Sequence, residues 1–192
     1  ALQKATFIFD RYKVPVFADD TGLEVACLNG LPGVDTAHYS GSRDADAKMQ
    51  KLLSETRFHE DRSAAFRTVI AFIAEMDKKL FSGEIQGRIA EAKSGKEGFG
   101  YDPVFVPEGE TRTFAEMNME EKKQKNHRVR ALKKFTDYLK ETYWGLADSI
   151  IRSMSSVLLM PTAAACFGTK LAMDMPGTVF ISMTWNTSST NM

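Results

Sequence analysis

The sequence is poor in the residues that staple, anchor or steer a chain. Only two cysteines occur in 192 residues. Cys27 and Cys166 have no Cys-x-x-Cys spacing, which argues against a disulfide scaffold or a zinc site. No apolar run reaches the length needed to span a bilayer. The opening Ala1-Leu2-Gln3-Lys4 lacks the charged start and apolar centre of a signal peptide, so a reducing cytoplasm is expected. Charge of neither sign prevails, with Lys+Arg 25 and Asp+Glu 25. Without a net field, neither nucleic acid nor an anionic membrane is an expected partner, and any polyanion must be held by a local cluster. Four chemistries are also missing their signatures: no Gly-x-x-x-x-Gly-Lys-Ser/Thr loop, no Gly-x-Ser-x-Gly elbow, no His-Glu-x-x-His and no Pro-Cys-x-x-Cys.

What remains is organised around Val16-Phe17-Ala18-Asp19-Asp20-Thr21-Gly22-Leu23-Glu24-Val25. It reads as a short apolar strand, a turn of two carboxylates, a hydroxyl and a glycine, and a second strand through Leu28. A buried strand rarely ends in two acids unless something positive waits there, because an unpaired carboxylate is costly to desolvate. Alternation puts Asp19 and Asp20 on opposite faces, so one can serve a cleft while the other caps the turn or pairs structurally. Taken alone, the same turn also reads as merely solvated.

Around it, Ala1 to Lys13 reads as a helix with Leu2, Ala5, Phe9 and Tyr12 along one stripe, ended by Pro15. Asn29-Gly30 and Pro32-Gly33 read as turns, and Ser42 or Asp44 can cap a helix packing Met49, Leu52 and Leu53. Ala64 to Met76 and Leu80 to Glu91 read as an antiparallel pair joined at Asp77-Lys78-Lys79. A short strand at Val104-Phe105-Val106 follows, then a capping box at Thr113-Phe114-Ala115-Glu116. Asn126 can cap a last helix through Glu141, with Val129, Leu132, Phe135 and Leu139 inward. Strands and helices alternate without strict βαβ repetition, which predicts an α/β fold with a mixed central sheet flanked by helices. Of all the charged side chains, only Asp148, Arg152, Lys170 and Asp174 lie after Glu141. This break divides the chain into a domain over residues 1–142 and a Met-, Ser- and Thr-rich tail over residues 143–192. That tail reads as a foreign or read-through segment, or a small added subdomain.

Three stations can carry chemistry. One is the Asp19-Asp20-Thr21 turn. A second is the loop Gly98-Phe99-Gly100-Tyr101-Asp102, where Phe99 or Tyr101 can stack on a flat base or else anchor the core. The third is Lys122 with Asn126-His127-Arg128, at a helix start where backbone N–H groups favour anions. Its plain reading is a solvated basic face.

The segments Phe17–Val25, Asn29–Gly33, Gly98–Pro103, Thr113–Glu116 and Asn126–Arg128 occur in an order and spacing that resembles the inosine triphosphate pyrophosphatase family. The resemblance covers about residues 1–141. It implies an elongated α/β fold of two lobes with an active-site cleft, Mg2+ as cofactor and a homodimer. It further implies Asp20 as general base and magnesium ligand, and Thr21 as a substrate contact. Phe99, Gly100, Tyr101 and Asp102 then form the nucleotide loop, with Lys122, His127, Arg128 and Lys4 as further substrate contacts. The reaction implied is hydrolysis of ITP, dITP and XTP to the monophosphate and pyrophosphate. The family's opening strand, its Ser/Thr-Asn-x-x-Lys loop and a glutamate metal ligand do not occur in this sequence. An incomplete domain is therefore expected, with a catalytically inactive, weakly nucleotide-binding fragment as the alternative. His38 also stands where bacterial relatives usually carry arginine.

Overall fold

The computed structural model describes residues 1–34, 39–41, 44–143, 170–173 and 179–182. His38, Ser42 and most of residues 143–192 lie outside them, as does what was expected of those positions. Helix α1 spans Leu2–Tyr12 and buries Ala5 and Ile8, with Leu2 and Phe9 packed beside them. Tyr12, expected on that stripe, stays 54% exposed. Lys13 ends the helix in the left-handed conformation at φ 52°, its N–H donating to the Phe9 carbonyl at 2.8 Å.

Strand β1 is the main departure from the sequence reading. Val16–Val25 forms one continuous strand, so Asp19-Asp20-Thr21-Gly22 is not a turn. Gly22 does not bend the chain; it admits a neighbour. A Cβ there would lie 2.8 Å from the carbonyl carbon and oxygen of Gly33, a separation that real side chains do not tolerate. Gly33 belongs to β2, Pro32–Gly33, which pairs antiparallel with β1 through Leu23↔Gly33 and Glu24↔Pro32. The expected Pro32-Gly33 turn is therefore a two-residue edge strand, the sheet position where proline's missing N–H does least harm. The bend itself comes just before it, at Asn29 (φ 54°) and Gly30 (φ 84°).

Helix α2, Ala45–Thr56, is capped by Asp44, whose side chain accepts from the N–H groups of Asp46 and Ala47. It buries Met49 and Leu52 as expected, while Leu53 packs partly buried. Strands β3, Ser63–Ala74, and β4, Asp77–Ile89, form the predicted hairpin. Its turn is Glu75-Met76 rather than Asp77-Lys78-Lys79. Strand β5, Phe105–Pro107, pairs antiparallel with β4 through Arg88↔Val106. The sheet order is β2-β1-β3-β4-β5. Within this sheet the two ladders with a described register run antiparallel, and helices flank the sheet, as the α/β class requires. Two helices follow, α3 at Met119–Gln124 and α4 at His127–Thr142. Beyond them β6, Lys170–Met173, and β7, Val179–Ser182, pair with each other.

The chain divides into two compact units. One contains Ala1–Asp20, Val69–Ser82 and, among the described residues, those from Arg130 onward. Its core has two layers. In one, Val16 and Ala18 pack with Ala5 and Ile8 of α1; in the other, Phe17 and Phe72 pack with Phe135 of α4. Tyr143 joins the second layer edge-on to Phe72 at 5.6 Å and donates to Asp77 at 3.1 Å. The other unit contains Thr21–Thr68 and Gly83–Val129. Phe66, Phe105 and Phe114 form its aromatic centre, with ring centroids 4.6 Å (Phe66–Phe105) and 5.3 Å (Phe105–Phe114) apart.

Candidate active site

In the first unit, Val16 and Ala18 face α1, and alternation along β1 sends Asp20 to the same side. Its carboxylate accepts a hydrogen bond from Lys4 Nζ on α1. Burial by itself would raise the Asp20 pKa. Hydrogen bonding and the positive charge of Lys4 act against it, and the carboxyl stands below its ordinary 3.8. The sign is that of a paired acid: the stability it contributes is present above the unfolded value and lost as pH falls through the folded one. Asp20 is thus ionised at neutral pH, with 29% of its side chain reachable by solvent. That fits both a proton acceptor and a hard oxygen donor to Mg2+. Among the described residues no group of three His, Cys, Asp or Glu side chains could enclose a metal. Magnesium, which keeps waters and takes phosphate oxygens, needs no such enclosure.

In the second unit, four side chains form one chain of hydrogen bonds. Arg128 Nη2 donates to Thr21 Oγ1 at 3.3 Å, Thr21 Oγ1 lies 2.7 Å from Thr68 Oγ1, and Thr68 Oγ1 lies 2.6 Å from His127 Nδ1. The ring of Phe66 stacks on the imidazole, with centroids 5.2 Å apart and planes 21° apart. His127 and Arg128 open α4, where Asn126 Oδ1 accepts from the Arg128 N–H at 2.8 Å, the predicted cap.

The loop from Gly98 to Asp102 is held from within. Asp102 accepts from the Phe99 N–H at 3.2 Å and from Lys122 Nζ at 3.5 Å. Burial raises the Asp102 pKa, and the Lys122 charge with these hydrogen bonds offsets only part of the rise. Gly98 sits at φ 100°, where a Cβ would lie 2.2 Å from Asp102 Oδ2 and 2.8 Å from Lys122 Nζ. This pair therefore requires glycine at that position. Of the two aromatics, Phe99 is 60% exposed and Tyr101 is buried in the unit's core. The Tyr101 hydroxyl finds no hydrogen-bond partner among the described residues. Only Phe99 offers a ring face to a ligand.

The structure thus groups Thr21, His127 and Arg128, and separately Asp102 with Lys122. Lys4 is paired with Asp20. Sequence reasoning missed Thr68 and the capping of α3. Thr68 is a fully buried hydroxyl inside the apolar run of β3, and that polar interruption was its signal. Asn118 and Glu121 form a reciprocal capping box at the start of α3, at the spacing the motif demands. This box, rather than a random basic run, fixes where Lys122 stands.

The model of the Ham1 family matches residues 1–138. A dITP/XTP pyrophosphatase of Porphyromonas gingivalis is 50% identical over 141 residues, covering 72% of this chain and 73% of that protein. One from Flavobacterium johnsoniae is 44% identical over 143 residues, covering 74% of each. Among solved structures, a HAM1 protein from Coxiella burnetii superposes with a TM-score of 0.70 at 36% identity, covering 74% of this chain and 75% of that one. A nucleoside-triphosphatase / dITP/XTP pyrophosphatase from Mycobacterium abscessus gives 0.66 at 40% identity, covering 70% and 73%. With more than two thirds of its length matched in sequence and in fold, the chain belongs to the Ham1 family.

Proposed function

We propose that this protein hydrolyses ITP, dITP and XTP to the monophosphate and pyrophosphate, clearing non-standard purines from the nucleotide pool. The observation that carries the reading is Asp20, an ionised, half-buried carboxylate held by Lys4 inside the segment matched to the Ham1 family. In this mechanism Asp20 takes a proton from a water that attacks the α-phosphorus, and pyrophosphate leaves with the bridging electrons. Asp20 would hold Mg2+ together with phosphate oxygens of the substrate, and the ion would supply positive charge against that building on phosphorus. Lys4 orients Asp20 in the free protein and supplies a positive charge for the polyphosphate. Lys122, Arg128 and the first turn of α4 supply further donors to anionic groups.

For the base, Phe99 provides a stacking face, and Gly100 lets the loop turn beside it at φ 63°. Tyr101 contributes by anchoring that loop in the core, and Asp102 by accepting from its backbone. Thr21 and His127 contact the nucleoside end. Donors at purine position 6 favour the keto group of hypoxanthine and xanthine over the amino group of adenine, which would leave them unpaired. A substrate drawn from the free nucleotide pool and a balanced charge fit a cytoplasmic enzyme that does not act on nucleic acid. The homodimer expected from the resemblance is tested by sedimentation. Pyrophosphate release from ITP, dITP, XTP, ATP and GTP tests the activity. ITP turnover well above ATP, abolished by EDTA, is expected; equal rates on ITP and ATP, or full activity in EDTA, overturn the reading.

A further inference from the structure

A hydroxyl at 0% exposure in an apolar strand is costly unless its hydrogen bonds are made. Thr68 makes two, one to Thr21 and one to His127 Nδ1. The direction of the protons follows from the ends of the chain. A guanidinium can only donate, so Thr21 Oγ1 accepts from Arg128. Its own hydrogen is then polarised by a charged donor and is best spent toward Thr68, since hydrogen bonds that run head to tail strengthen one another. Thr68 passes its hydrogen on in the same sense, to His127 Nδ1. A protonated imidazole would break this order by placing a second donor against Thr68. It would also set a second positive charge next to Arg128 in the sequence, under the stacked ring of Phe66.

We propose that Thr68 is a positioning residue for base selection. Its hydroxyl donates to His127 Nδ1, fixing the neutral tautomer that carries its proton on Nε2, and that N–H donates to the keto oxygen at purine position 6. The proposal rests on the purine triphosphate reading above and deepens it by naming what orients the donor. Because hypoxanthine and guanine both carry a keto group at position 6, Thr68 governs discrimination against adenine and leaves discrimination against guanine untouched. A residue that merely supports the fold would move both together.

Two measurements on the full chain decide it. Long-range 1H–15N correlation spectra of histidine-labelled protein without nucleotide report the tautomer, and His127 is assigned through His38→Gln and His59→Gln variants. The wild type is expected to show the Nε2–H pattern near neutral pH, and Thr68→Val an averaged one. In kinetics, Thr68→Val is expected to lower the ITP/ATP ratio of kcat/KM about tenfold, the order lost with one oriented donor. The ITP/GTP ratio should hold, and Thr68→Ser should restore both signature and selectivity. An Nδ1–H pattern in the wild type overturns the proposal, as does a parallel fall of the two ratios in Thr68→Val. If Thr68→Val fails to fold, the wild-type spectrum and Thr68→Ser decide alone. Should the wild type hydrolyse ITP and ATP alike, the proposed function fails while the tautomer result stands.

Discussion

Asp20 and Thr21 are consecutive residues of β1, yet their polar surroundings differ in kind. Asp20 carries a full charge, and its partner Lys4 is a full charge of the opposite sign. Thr21 is neutral: it accepts from one cation, Arg128, and heads a series of hydroxyls that ends at an imidazole. The first arrangement stabilises a charge and can exchange Lys4 for another cation or a proton, which suits bond breaking. The second has little to gain from charge but fixes the direction of every donor, which suits reading one base edge against another. The comparison predicts that lesions near Asp20 change rate, and lesions in the Thr21 unit change affinity or selectivity.

The largest effect should come from Asp20→Asn, which removes the proton acceptor and a metal-facing charge together. A fall in kcat of roughly 10²–10⁴ is expected, with KM changed far less, in steady-state pyrophosphate release. A large KM effect with kcat intact would erase the contrast between the regions. Next comes Phe99→Ala in the nucleotide loop. Loss of one base-stacking face at about 1–3 kcal/mol should raise KM for ITP roughly 5–150-fold while kcat holds. An unchanged KM would remove Phe99 from the base site.

A smaller effect tests Asp102, whose folded pKa stands above its ordinary 3.8 because of burial. The folded protein then binds more protons than the unfolded chain between the two values, so stability declines as pH rises through that window. Asp102→Asn should abolish this decline in urea melts taken across the acid range. Lys122→Met, which removes the opposing charge, should extend the window upward. A wild-type protein that gains stability relative to Asp102→Asn over that range would show the Lys122 pairing to outweigh burial.

The smallest change expected is from Tyr101→Phe. The buried hydroxyl has no partner among the described residues, so deleting it relieves an unmet desolvation cost. Thermal melting should be unchanged or slightly raised, with turnover of ITP intact. A KM rise comparable to that of Phe99→Ala would make Tyr101 a ligand contact after all.

Several elements were written locally and so could be read from the sequence. Phe135 and Leu139 on the inner face of α4, the β3–β4 hairpin, the Asp44 cap and the Thr113–Glu116 box depend on side-chain period or on groups three residues apart, whereas Val129 and Leu132, also expected inward, are only partly buried. The order of the family's segments was legible for the same reason: it is a property of the chain itself. Tertiary structure decided the rest. Asp-Asp-Thr-Gly has the composition of a turn, and pairing within the sheet makes it the middle of a strand. Phe99 and Tyr101 are equivalent aromatics in sequence, and the unit's core claims one and leaves the other exposed. Thr68 is an unremarked threonine until a strand 47 residues earlier and a helix 59 residues later bring Thr21 and His127 to its hydroxyl. Residue type sets what a group can donate, accept or bury, whereas its partner at that distance is chosen by the packing of the sheet.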